Sequence, residues 1–474
     1  MCCQTDVLRM AVALATFLAA LAADPGVVCS AQGHSDPLGL KFSKDYFPGT
    51  RDASGQWMGG SETMCLLAHQ GKLFAGLGYW MDVPYGKAKG DEPWTGAQVL
   101  VKDSAAAPWR VDLNFGADYL RTESLVSATF TTDAAGVRLA PPVSMLIAGP
   151  SDWSAAGARW ATAWTRDDAT GRWTKIQIAQ EPRHAGARSF GLHVDKVTGV
   201  QHIFAGVSNG RIFRGVYDPA APGRLRWFPE PELSGTGRPM CMAEAGGVLY
   251  AACGIKSDAP DSGGLFRRID GRNPKWELVY RWPYLLKEQG DEWAIFRGLT
   301  VVPDPSGGKQ EVLIGTRTHT GVVERIDPAN GHAATVELDI PSYFARAWGL
   351  AAYRGPCLSA YNRIVAATHP VTGEGVWLIG VWVEHPQKAE PPHNGSYYLV
   401  RRKDGTYDWG AVYDFDHPLA AGSGLHGTRA IEISPFQEDK GRVFYFGGHD
   451  CAFRESHNTA WIYRAAAESS RAGP

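Results

Sequence analysis

Apolar and polar residues alternate in short runs along most of the chain, and the runs fall into groups separated by turn residues. The first group reads Glu62 to Ala68 (ETMCLLA), a turn at Gln70-Gly71, Lys72 to Gly78 (KLFAGLG), Gln98 to Asp103 (QVLVKD) and Trp109 to Phe115 (WRVDLNF). A period of two over four to eight residues, bounded by Gly, Asn and Asp, predicts short antiparallel strands joined by turns. The pattern returns from Glu123, Arg188, Arg238, Arg297, Arg346 and Arg429, roughly every 50 to 80 residues. In the sixth group Arg363 to Ala367 (RIVAA) is expected as the second strand, with Val376 to Pro392 as an insertion. The last group, Gly427 to Ile433, Gly441 to Cys451 and Thr459 to Arg464, lacks a fourth strand. Leu40 to Phe47 (LKFSKDYF) is the segment available to supply it.

This grammar predicts an all-β chain forming a seven-bladed β-propeller, the ring closed by the N-terminal strand completing the last blade. Six blades is the alternative, should the group at Glu123 not stand alone. Neither the Ser-x-Asp-x-Gly-x-Thr-Trp box of sialidase-like propellers, nor the Gly-His/Trp-Asp pair of WD repeats, nor the double glycine of kelch repeats recurs. The chain resembles propellers in general.

Composition adds bounds. The formal charge of −2 gives no bulk drive toward nucleic acid or an anionic membrane. Residues 1–31 read as a secretory signal: Arg9, an apolar run from Met10 to Ala23, and small residues Ser30-Ala31 before Gln32. That run is shorter than a membrane span, so a secreted, periplasmic or extracellular protein without membrane insertion is expected. The propeller domain is expected over 32–467, with a disordered tail at 468–474. Beyond the signal, Cys65, Cys241, Cys253, Cys357 and Cys451 make an odd set, with a Cys241–Cys253 bridge or two buried thiols equally open. No cysteine–histidine spacing suits zinc, no cofactor motif occurs, and a structural calcium is left open. A monomer is expected.

The first strands share a sharper feature: each opens charged-x-apolar, with Glu62, Glu123, Arg188, Arg238, Arg297, Arg346 and Arg429. In a propeller those positions converge on one mouth of the central channel. Second strands end on the same face, at Tyr79-Trp80, Arg317 with His319, His369 and His449-Asp450. Five arginines against two glutamates predict an anion-binding funnel, since guanidinium forks match carboxylate, sulfate or phosphate oxygens. The competing reading is a set of ion pairs that simply plugs a narrow channel.

The funnel suggests an anionic, uronic-acid-containing carbohydrate or another small anion as ligand. A polysaccharide lyase is the concrete enzymatic form, with Arg neutralising the carboxylate and His449, His369 or Tyr79 as base. A hydrolase using Glu62 and Glu123 is weaker, because adjacent arginines keep both ionised. The alternative is a non-catalytic glycan- or peptide-binding propeller. Trp80 is a candidate stacking platform; strand tryptophans such as Trp109 and Trp276 are expected in the core.

Overall fold

The computed structural model describes residues 35–79, 93–154, 159–181, 185–255, 259, 262–282, 296–308, 310–318, 320–361, 363–420, 423–450 and 457–468. The expected signal at 1–31, the tail beyond 468, and Trp80, His319 and Cys451 lie outside them.

The fold is almost entirely β. Its unit is an antiparallel meander in which each strand pairs with the next, as in Glu62–His69, Lys72–Gly78, Ala97–Lys102 and Arg110–Gly116. The fourth and fifth meanders, opening at Pro239–Ala245 and Phe296–Pro303, are separate four-stranded sheets. The strand Leu40–Tyr46 pairs antiparallel with Trp461–Ala467, Leu40 opposite Ala467, so the earliest strand completes the last meander.

Strand ends stitch some meanders together. Gly78 pairs with Arg121, Asp152 with Ala185, and His449 with Glu62, each bridging the second strand of one meander to the first strand of the next. Gly78 permits this approach: a Cβ there would lie 2.0 Å from Arg121 Cβ.

Apolar faces account for the rest of the cohesion. Phe74 and Val99 pack with Leu146 and Ala148; Phe204 with Ala251 and Phe266; Ile314 with Trp377 and Ile379. Leu66 and Leu73 close the series against Tyr445 and Ile462 of the last meander. Trp282 stacks on Phe296 at 4.7 Å, both nearly excluded from water, which fixes the fourth sheet on the fifth.

The sixth meander departs from expectation. Its first strand is broken into Leu358–Ser359 and Val365–Thr368, and both pieces pair with Gly375–Trp382. The segment read as an insertion is thus the second strand, and Arg363 to Ala367 belongs to the first. Arg346 lies in no strand. It sits exposed in the last turn of the helix Ile340–Ala347, which begins where Asp339 accepts a hydrogen bond from the Ser342 amide and a proline occupies the first turn.

Cys241 and Cys253 are buried free thiols. A bulge shifts the register, so Pro239 faces Cys253 and Cys241 faces Ala252. Cys241 then packs toward Phe296 and Cys253 toward Phe204, on opposite faces of the sheet. Among the described residues, no helix is long and apolar enough to cross a membrane.

Candidate functional site

Charged residues at the starts of the first strands meet in one buried cluster. Glu62 and Glu123, 1% and 2% exposed, are its carboxylates. Arg121 lies between them: its Nε donates to Glu123 Oε1 at 2.9 Å, and its Nη1 is 3.6 Å from Glu62 Oε1. Arg429 Nη1 reaches Glu62 Oε2 at 2.6 Å. Arg188 Nε is 3.4 Å from Glu123 Oε2, and its Nη1 donates to the Glu123 carbonyl at 2.9 Å. Arg238 is buried beside them, acted on by Glu123, Arg121, Arg188 and Tyr361.

Tyr361 occupies the centre. The break in the sixth meander's first strand carries it, between Ser359 and Val365. The Arg429, Arg297 and Arg188 guanidiniums lie 4.0, 4.3 and 5.0 Å from its ring centroid. Its carbonyl accepts from Arg188 Nη2 at 3.2 Å and Arg297 Nη1 at 3.5 Å, while Arg297 Nε donates to Thr318 Oγ1 at 2.8 Å. The sixth meander, whose expected Arg346 lies in the helix, thus supplies an aromatic ring on which Arg188, Arg297 and Arg429 stack.

The electrostatics follow from this crowding. Burial alone raises the Glu123 carboxyl, but Arg121, Arg188 and Arg238 outweigh it and hold the pKa at about 2. Burial likewise raises the Tyr361 phenol, and Arg121, Arg429, Arg297 and Arg188 bring it down to about 7. Burial and the repulsion of Arg188 and Arg429 lower Arg297 to about 10, against the pull of Tyr361. Burial also lowers Arg238. Among the described residues, Glu62, Glu123 and Tyr361 are the acidic groups that act on Arg121, Arg238 and Arg297.

A rim adjoins this cluster. His449 Nδ1 accepts from Arg429 Nε at 2.9 Å, so the ring proton sits on Nε2, and the imidazole packs edge-on against Trp382 at 5.4 Å. Burial, then Arg429 and His426, push its pKa well below the ordinary histidine value. His426 hydrogen-bonds Asp450 Oδ1 through Nδ1 at 2.9 Å, and its Nε2 lies 3.8 Å from Glu384 Oε1. Trp382 Nε1 donates to the same Glu384 oxygen at 3.4 Å.

Of the expected residues, Glu62, Glu123, Arg188, Arg238, Arg297, Arg429 and His449 come together. Four do not. Arg346 is on the exposed helix. Arg317 forms a bidentate pair with Glu324, its Nε and Nη2 both 2.9 Å from Oε2, beside the Tyr280 hydroxyl. His369 follows the end of a first strand, not its start. Its Nε2 bonds the Pro37 carbonyl at 3.1 Å and its Nδ1 accepts from the Val371 and Thr372 amides. It lines a groove of about 540 Å³ with Val371, Lys440 and Arg442. Tyr79 is fully buried, its hydroxyl 3.0 Å from Thr95 Oγ1 and its ring stacked on Trp94 at 4.1 Å.

Arg121, Tyr361, His426 and Glu384 were not anticipated. The Arg-Thr-Glu spacing of 121–123 is a usable signal, since residues two apart share a strand face. Nothing near Tyr361 marks it. Among the described residues, no group of three or more His, Cys, Asp or Glu side chains could hold a metal ion.

Comparisons with known proteins add little at this point. No family model matches the chain, and no curated protein matches it. Among solved structures, the GH74 enzyme of Niastella koreensis is similar at TM-score 0.49 and 12% identity, over 89% of this chain and 53% of that one. This chain thus spans about half that enzyme's length. BBS1N, solved in complex with ARL6DN, is similar at TM-score 0.41 and 11% identity, over 90% of this chain and 98% of that one. Likenesses this distant say nothing of what this chain binds.

Proposed function

We propose that the protein is a closed seven-bladed β-propeller that binds a carboxylate-bearing carbohydrate at the arginine-lined mouth of its channel. Support for the ring is that apolar clusters join each meander to the next, including the last to the first. The binding reading is carried by one observation: five arginines crowd around two glutamates and Tyr361. Guanidiniums gathered this closely present forks that match the oxygens of a carboxylate.

The arginines are nearly buried: Arg188, Arg297 and Arg429 are 3%, 5% and 4% exposed. A single carboxylate is small enough to approach them, leaving the remainder of a sugar chain on the rim beside Trp382, His426 and Glu384. Guanidinium contacts to a uronate carboxylate stabilise the charge that develops when the neighbouring carbon loses its proton, which is the requirement of a lyase. Export through the expected signal at 1–31 would bring the protein to such polymers.

Titration calorimetry of the protein against uronic-acid polymers and neutral polymers tests the reading, with absorbance in the unsaturated-uronate band followed in parallel. Heat from uronic-acid polymers alone is expected. No binding to any of them overturns the carboxylate reading; binding without absorbance makes the protein a non-catalytic receptor.

A further inference from the structure

His369, Tyr79 and His449 are each engaged in ways that leave no ready base at the mouth, and the structure points to another group. We propose that Tyr361 works as a phenolate, an internal counter-anion of the arginine cluster and the proton-accepting group of the channel mouth.

The argument is first geometric. Three guanidiniums, those of Arg188, Arg297 and Arg429, lie within 5.0 Å of the ring centroid. The backbone is clamped as well, its carbonyl held by Arg188 and Arg297, and Ala360 before it takes the left-handed conformation (φ 44°). The ring is 8% exposed and packs on Met64 and Cys65. Charged or titratable groups face it from most of the neighbouring first strands. They are Cys65 from the first meander, Arg121 and Glu123 from the second, Arg188, Arg238 and Arg297 from the third to fifth, and Arg429 from the last. Glu62 joins through Arg121 and Arg429. Cations dominate that list. Burial disfavours any charge, yet guanidiniums as close to the ring as those of Arg188, Arg297 and Arg429 favour the ionised form. The lowering to about 7 accords with this.

Several other buried tyrosines behave oppositely. Tyr46 and Tyr398 are pushed far up by burial, and Tyr353, Tyr397 and Tyr445 upward as well. Tyr361 therefore titrates in a window that these leave clear. On the lyase reading, on which this role rests, the step is definite. The phenolate oxygen takes the proton from the carbon beside the bound carboxylate. The released electron pair forms the C=C bond and expels the glycosidic oxygen, which water protonates.

Tyrosinate absorbance of the ligand-free, full-length protein, titrated between about pH 5 and 9, tests the proposal directly. A step of one tyrosine near neutrality is expected, absent in Tyr361→Phe. Arg297→Met and Arg429→Met, each removing a cation, should move its midpoint upward, which keeps the test open should Tyr361→Phe fail to fold. No step in the wild type, a step that persists in Tyr361→Phe, or a midpoint indifferent to both arginine changes overturns the proposal. The titration uses no ligand, so its failure is separate from a failure of the calorimetry.

Discussion

Replacing Glu123 with glutamine keeps the side chain's shape and removes one of the two carboxylate charges that the described residues bring to the cluster. Glu123 holds Arg121 at 2.9 Å and Arg188 at 3.4 Å and is 2% exposed, so water screens little of the loss. Its carboxyl sits at about 2 against an ordinary 4.5. At about 1.4 kcal/mol per unit, that depression corresponds to about 3 kcal/mol of folding stability. Breaking one side of a buried ion pair gives the same order independently, about 3–5 kcal/mol. The folded-state pKa is depressed, so the contribution is full above pH 4.5 and is lost as pH falls toward 2. Urea unfolding of wild type and Glu123→Gln should differ by about 3 kcal/mol at neutral pH, the gap closing as pH falls through that window. Asp416→Asn is the control, because its pair with Lys41 is exposed on both sides and its loss should leave unfolding unchanged. The variant should also bind anions more tightly, having one counter-charge fewer. A gap under about 1 kcal/mol, or one insensitive to pH, would refute the picture of Glu123 as a buried counter-ion.

Arg297→Ala and Arg429→Ala should each weaken uronate binding by about tenfold or more, the worth of a charged hydrogen bond, as read by calorimetry, while Arg346→Ala leaves it unchanged. The depressed Tyr361 phenol adds stability as pH rises from about 7 toward 10, because only the unfolded chain still holds that proton. Denaturation at several pH values in this range should therefore show a rise for wild type that is smaller in Tyr361→Phe. Cys65, Cys241, Cys253 and Cys357 should resist a thiol reagent in the folded protein and react in urea, and a reductant should not shift unfolding. Burial raises the thiols of Cys241 and Cys253 to about 11 and 12, so little thiolate exists to react.

The strand grammar was readable because period-two alternation and turn residues are local facts, and so were the first-strand positions of Glu62, Glu123, Arg188, Arg297 and Arg429. Reading failed where a long-range contact overrode a local pattern. Arg346-Ala-Trp matches the charged-x-apolar opening, yet the Asp-Ile-Pro-Ser at 339–342 is a helix start and takes precedence. Arg363 to Ala367 looks like a complete strand because the break that turns Tyr361 into the cluster is invisible without its arginine partners. Cys241 and Cys253 were misaligned by a bulge, which moves a register by one residue and reverses the face. His369 and Arg317 were assigned to the mouth by counting strands, whereas His369 stands at a strand's far end and Arg317 is taken up by Glu324 on the neighbouring strand.

The pairing of Leu40–Tyr46 with Trp461–Ala467 bears on how the molecule answers to force. Ser43 and Arg464 are hydrogen-bonded though 421 positions apart, so this sheet stays incomplete until nearly all the described chain has been synthesised. Leu40 lies opposite Ala467, so the first residue of one strand faces the last of the other. Tension applied through residues 40 and 467 would peel these strands apart one hydrogen bond at a time, as a zipper opens, and would not shear all of them together. The contact that closes last is therefore also one that yields a bond at a time under such a pull.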